Sequence, residues 1–197
     1  MSTDSAIIRR SLEDPSAFAE LFDRHAAGVG RFAARRIGPE AAQDVLSETF
    51  LVAFRRRGAF DHAWESAVPW LLGIASRLIK KHRAAEARQW RSITASLGTV
   101  ESWHDGELSR ADNRADAAAT LDRLTGDIDA LAARDRETLL LYAWGDLTYE
   151  EIALALNVPV GTVRSRLNRV RRRLGAAGIA AGIGREEGRD GRVQQGA

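Results

Sequence analysis

Between Thr148 and Leu174 the chain sets a capped helix, a turn and a basic helix in close succession, a spacing that very few folds can accommodate. Thr148-Tyr-Glu-Glu151 is a capping box, in which the Thr hydroxyl and the Glu carboxylate satisfy each other's exposed backbone donors. The short helix it opens turns Ile152, Ala153 and Leu156 inward and ends at Asn157. Asn157-Val-Pro-Val160 makes the turn, and the next helix is expected from Gly161 to Leu174. Val163, Leu167, Val170 and Leu174 recur at helical spacing on its buried side, which leaves Arg164, Ser165, Asn168 and Arg169 facing outward. This is the helix-turn-helix pattern, whose second helix enters the DNA major groove with its N-terminal residues on base edges.

The residue types fit that use. Residues 152–174 carry six arginines and no acid. An arginine can hold guanine O6 and N7 through two parallel hydrogen bonds, so Arg164 and Arg169, with Ser165 and Asn168 beside them, are candidates for reading bases. Thr162, Arg166, Arg171, Arg172 and Arg173 suit phosphate contact, which fixes register without reading sequence. Gly161 lets the helix start approach a backbone closely. A solvated basic face would show the same charge, but not the capping box and turn at this spacing.

The remainder of the chain also reads as helix, and no stretch alternates like a strand. Asp14-Pro15 opens a helix with Phe18, Leu21, Phe22, His25, Val29 and Phe32 on one face, closed by Gly38. A second helix starts at Pro39 and buries Val45, Leu46, Thr49, Phe50 and Ala53, with Asp44, Glu48 and Leu51 outside that stripe. Residues 55–67 read as a loop holding Phe60 and Trp64. A third helix opens near Pro69, buries Trp70, Leu71, Ile74, Ala75 and Leu78, and carries Arg77, Lys80, Lys81, Arg83 and Arg88 on its other surface. Aromatics beside cations can hold unpaired bases, by stacking on rings while Lys and Arg neutralise the backbone. From about Arg91 to Ala115 the period fails and Ser, Thr, Gly, Asp and Glu accumulate, as in a mobile linker, with Trp103 the one aromatic expected to rest on a partner. A second block begins near Ala117 with Leu121, Leu124, Ile128 and Leu131, followed by a helix from Arg134 to Trp144. The fold class is therefore all-α, two small helical domains joined by a flexible linker, with the helix-turn-helix in the second.

Composition narrows the function classes. With no cysteine among 197 residues, disulfides, thiolate metal sites and a Cys nucleophile are excluded. His25, His62, His82 and His104 show no metal-ligand spacing, and neither a phosphate-binding glycine loop after a strand nor a serine nucleophile elbow occurs. No enzyme activity, catalytic residue, metal or cofactor is expected. No apolar run reaches the roughly 18–20 residues that span a bilayer, and the N-terminal stretch lacks an export signal. A cytoplasmic protein without membrane insertion is the expectation. The net charge of +2 conceals basic segments at 77–91 and 164–173 around an acidic middle from 97 to 151, which argues for a polyanionic partner met by particular surfaces.

Four motifs, Asp44-Val-Leu-Ser-Glu-Thr-Phe50, Trp70-Leu-Leu-Gly-Ile-Ala75, Tyr149-Glu-Glu-Ile-Ala153 and Val160-Gly-Thr-Val-Arg-Ser-Arg166, together carry a resemblance. The chain resembles the extracytoplasmic-function (group IV) sigma factors of the bacterial sigma-70 family, over about residues 14–90 and 117–174. The resemblance implies an initiation factor that binds core RNA polymerase through its β′ and β subunits and directs it to promoter DNA. Residues 1–90 would be region 2, 91–116 the acidic linker, 117–174 region 4, and 175–197 a Gly-rich tail outside the short family pattern. Asp44, Ser47, Glu48 and Leu51 would dock on the β′ coiled coil. Phe60, Trp64, Arg77, Lys80 and Lys81 would engage the −10 element, where a base is extruded from the stack. Thr162, Arg164, Ser165, Arg166, Asn168, Arg169 and Arg172 would bind the −35 element. Ser47 and Arg77 depart from the Gln and Asn that family members often carry there. An anti-sigma factor is implied as a further partner. The alternative is a helix-turn-helix regulator of the response-regulator output type, which shares the pattern of residues 134–174. A second, a module that merely sequesters a partner, would show no DNA binding.

Overall fold

The computed structural model describes residues 2–97 and 126–176. Among them the regular elements are all helical: α1 (Asp4–Glu13), a 3₁₀ turn (Pro15–Phe18), α2 (Ala19–Ile37), α3 (Pro39–Arg56), a second 3₁₀ turn (Arg57–Ala59), α4 (Val68–Leu97), α5 (Ala133–Gly145), α6 (Tyr149–Leu156) and α7 (Val160–Ala176). The expected linker beyond Leu97 with Trp103, the start of the second block at Ala117 with Leu121 and Leu124, and the tail beyond Ala176 lie outside the described residues. Contacts group residues 2–97 and 140–163 into one unit and residues 126–139 and 164–176 into another.

In the first unit, α2, α3 and α4 pack around Leu21, Val29, Phe32, Val45, Phe50, Leu71, Ile74 and Ile79, all buried. The chain turns from α2 into α3 at Gly38, whose φ of 78° is comfortable only for glycine, and Pro39 then opens α3 at a position where its missing N–H costs nothing. Helix α4 runs to Leu97, past Arg91 where the apolar period ends and a linker was expected. Ala84, Ala85, Ala87, Arg88 and Gln89 favour helix without any buried stripe, so the helix already extends beyond its apolar face before it reaches Arg91.

The N-terminal helix α1 has no counterpart in the periodicity reading. Its signals are short: Thr3 caps it by accepting from the Ala6 amide at 3.2 Å, and Ile7, Ile8 and Ser11 are fully buried. Asp4 fastens α1 to the rest of the unit. Its buried carboxylate accepts from Arg24 Nη1 (2.7 Å), His25 Nε2 (2.7 Å) and the Ala67 amide (2.9 Å), joining α1 to α2 and to the loop before α4. Beside it the Ser5 hydroxyl and His62 Nδ1 lie 3.0 Å apart.

Helix α6 packs across α4 in the same unit, and Gly73 is the point of closest approach. A Cβ there would sit 2.4 Å from the Ala155 carbonyl oxygen and 3.0 Å from its Cα, contacts that rigid backbone cannot relieve. Gly73→Ala is therefore expected to lower unfolding free energy by about 1–3 kcal/mol, as overpacking does, which urea denaturation of the full chain would measure. In the second unit Leu131, Leu139, Val170 and Leu174 form a buried cluster with Ile128 against it.

Candidate nucleic-acid interface

The basic helix is prepared by the residues before it. The capping box is complete: the Thr148 hydroxyl accepts from the Glu151 amide at 3.3 Å, and Glu151 Oε2 accepts from the Thr148 amide at 2.8 Å. Helix α6 stops at Asn157, which takes the left-handed conformation (φ 53°) that asparagine tolerates, and the Val158 amide closes the turn on the Ala153 carbonyl at 3.0 Å. Pro159 stands just before α7, its carbonyl accepting from the Thr162 and Val163 amides.

Along α7 the stripe of Val163, Leu167, Val170 and Leu174 is fully buried. Arg164, Ser165, Asn168, Arg169 and Arg172 are exposed, while Thr162, Arg166 and Arg171 are half-buried. The seven candidates of the −35 set thus share one helix, with exposed members in each of its first turns.

Two of those arginines are held from α5. Asp135 takes Arg169 in a fork: Oδ2 accepts from Nε at 3.0 Å and Oδ1 from Nη2 at 2.8 Å. One turn further along α5, the Thr138 hydroxyl lies 3.4 Å from Arg166 Nη1 while it donates to the Arg134 carbonyl at 2.8 Å. The Arg169 hydrogen bonds hold the Asp135 carboxyl below the usual carboxylate range against the opposing effect of its burial. Asp135 raises the Arg169 guanidinium in turn. Asn168 Oδ1 accepts from Arg171 Nη1 at 3.3 Å.

On α3, Asp44, Ser47, Glu48 and Leu51 are all exposed, and Leu51 stands out as a large apolar side chain at 47 % exposure. Phe22 on α2, expected in the core, is also 42 % exposed. Its ring packs edge-on against Phe50 at 4.8 Å, so the helical spacing located its face correctly while the partner helix covers only half of the ring.

The −10 candidates divide. Lys80 and Lys81 are exposed on α4, and Lys81 Nζ lies 3.7 Å from Glu48 Oε1, a surface pair of little energetic weight that joins two candidate sets. Trp64 is half-buried in the loop before α4. Arg77 Nη1 reaches the Ala155 carbonyl of α6 at 3.5 Å, and partial burial, with Arg56 adding repulsion, lowers its guanidinium from the ordinary value. Phe60 is in the core, 5 % exposed and edge-on to Trp70 at 5.2 Å, because the 3₁₀ turn after α3 folds it inward. In this conformation its ring presents no face to a base. Among the described residues no His, Asp and Glu cluster could hold a metal.

The chain matches the family models for sigma-70 region 2 over residues 21–89 and for sigma-70 region 4 over residues 123–174. It is 30% identical to the ECF RNA polymerase sigma-E factor of Escherichia coli (strain K12) over 176 residues, 86% of this chain and 91% of that protein. It is 36% identical to the RNA polymerase sigma factor HrpL of Pseudomonas syringae pv. syringae over 130 residues, 65% of this chain and 68% of HrpL. Its fold is similar to that of CnrH, solved in complex with the cytosolic domain of CnrY (TM-score 0.59, 22% identity, 90% of this chain and 98% of CnrH). It is similar also to the sigma factor RpoE of Bartonella quintana, solved with the anti-sigma factor NepR (TM-score 0.54, 20% identity, 81% of this chain and 94% of RpoE). The region 2 match occupies the stretch where a response regulator would carry its receiver sheet, and the described residues there are helical. The chain belongs to the sigma-70 family and is an RNA polymerase sigma factor of the extracytoplasmic-function type, a DNA-binding transcription initiation factor.

Proposed function

We propose that α7 reads the −35 element through Arg164, Ser165 and Arg169, with Asn168 beside them, while Thr162, Arg166 and Arg172 hold phosphates. The observation that carries this reading is the sorting of α7 into a fully buried apolar stripe and an exposed basic face behind a capped helix and turn. The face of α3 with Asp44, Ser47, Glu48 and Leu51 docks on the polymerase β′ coiled coil, an apolar anchor between acids that choose a basic partner. Trp64, Arg77, Lys80 and Lys81 engage the opened −10 strand, and Phe60 supports Trp70 from the core rather than touching a base. Residues 1–90 and 117–174 serve as the two binding domains and 91–116 as the linker. The protein works in the cytoplasm without catalysing a reaction itself. The neighbour solved with the anti-sigma factor NepR supports an anti-sigma factor as a further partner.

Initiation by holoenzyme on a library of promoters tests the division of α7. Arg164→Ala should change the preferred −35 base by about 5–100-fold, whereas Arg172→Ala should weaken binding evenly across sequences and lower the salt dependence by about one phosphate contact. Equal effects from the two variants would refute the division.

A further inference from the structure

Asp135 lies on α5, outside the helix that faces DNA, and nothing in the sequence marks it as functional. Its carboxylate is nevertheless one of the few buried charged groups among the described residues, with a side chain 12% exposed, and both of its oxygens are directed at one exposed arginine of the recognition helix. We infer that Asp135 is a positioning residue for −35 recognition, fixing the Arg169 guanidinium so that one defined edge of it meets the base. The inference rests on the reading of Arg169 as a base contact.

The geometry supplies the reason. A guanidinium has five donors along two usable edges. Asp135 occupies the Nε–Nη2 edge, which leaves the Nη1–Nη2 edge as the pair of parallel donors that guanine O6 and N7 require. An arginine side chain free in solution loses rotamer freedom on meeting a base. One already locked by a two-bond fork meets only the base that fits the exposed edge. The carboxylate also cancels most of the positive charge that would otherwise attract any phosphate, so Arg169 contributes discrimination rather than general affinity. One turn away the Thr138 hydroxyl lies 3.4 Å from Arg166 Nη1, so α5 reaches a second arginine of the same helix by a single, weaker contact.

The test is the promoter-library competition with holoenzyme assembled from core polymerase and the full chain. Asp135→Asn keeps the size and one acceptor but removes the charge, and Asp135→Glu keeps the charge but displaces it by a methylene. Both should reduce discrimination about tenfold at the same −35 base pair whose preference Arg169→Ala abolishes. With Asp135→Asn the loss should come from tighter binding to mismatched promoters and a steeper salt dependence. Asp135→Asn placed on Arg169→Ala should add no further change in preference. A purely structural Asp135 would weaken all promoters equally and leave the preference profile intact in both variants, which would overturn the inference. If Arg169→Ala itself leaves every −35 preference unchanged, the base-contact reading falls and the inference with it; if Arg169→Ala acts and the Asp135 variants do not, only the inference falls.

Discussion

Asp4→Ala is expected to destabilise the protein by about 3 kcal/mol. Asp4 is only 5 % exposed, and its carboxylate joins α1, α2 and the loop before α4. Alanine leaves the Ala67 amide without its acceptor, and it leaves the half-buried His25 without the carboxylate it touches. Arg24 can turn to water, so the loss stays below that of a fully buried triad. The same node predicts an acid dependence. Burial pushes the Asp4 carboxyl up, but the bonds from His25, the Ala67 amide and Arg24 outweigh it and bring it down to about 2 from an ordinary 3.8. A carboxyl lowered on folding contributes stability that is complete above about pH 4 and is lost as pH falls through about 2. Denaturant unfolding between pH 5 and 2 should show that loss in the native chain, roughly 1–2 kcal/mol of it absent from Asp4→Ala.

Leu51→Asp is expected to weaken core polymerase binding by at least about 30-fold, the effect of removing one well-seated apolar anchor and replacing it with a buried charge. The side chain is 47 % exposed, and surface substitutions of this kind change folding stability by about 0.5 kcal/mol or less. A fall in affinity with an unchanged melting temperature therefore assigns the loss to docking. Asp44 and Glu48 surround the same anchor on α3, and their removal should change the salt dependence and association rate more than the final affinity.

The capping box, the Asn157 stop and the buried stripe of α7 were legible because each is a local pattern enforced by backbone donors or by a 3.6-residue period. Phe22 and Phe60 lie differently from the sequence reading for separate reasons. Spacing on one helix gives a face but not where the neighbouring helix ends, so Phe22 is left half in water, while Phe60 sits in a segment without a period, where nothing local shows that the turn folds it beneath Trp70. Helix α1 was missed because Ile7 and Ile8 are the only apolar side chains among its buried residues, and Asp4, Ser5 and Ser11, also buried, give no apolar period to recognise. The Asp135–Arg169 fork joins positions 34 residues apart, and no local signal could have paired them. Arg169 was legible as an outward arginine; what holds it was not.

On the proposed reading, polymerase docking and −35 recognition lie on separate helices, α3 and α7. Core-polymerase affinity and −35 preference measured on one pair of variants test it most directly. Leu51→Asp should lose core affinity by at least about 30-fold, and the residual holoenzyme should keep the native −35 preference. Arg164→Ala should shift that preference while core affinity moves by less than about threefold. Native-like core polymerase binding by Leu51→Asp, or an Arg164→Ala chain that keeps every −35 preference, would overturn this division of roles between α3 and α7.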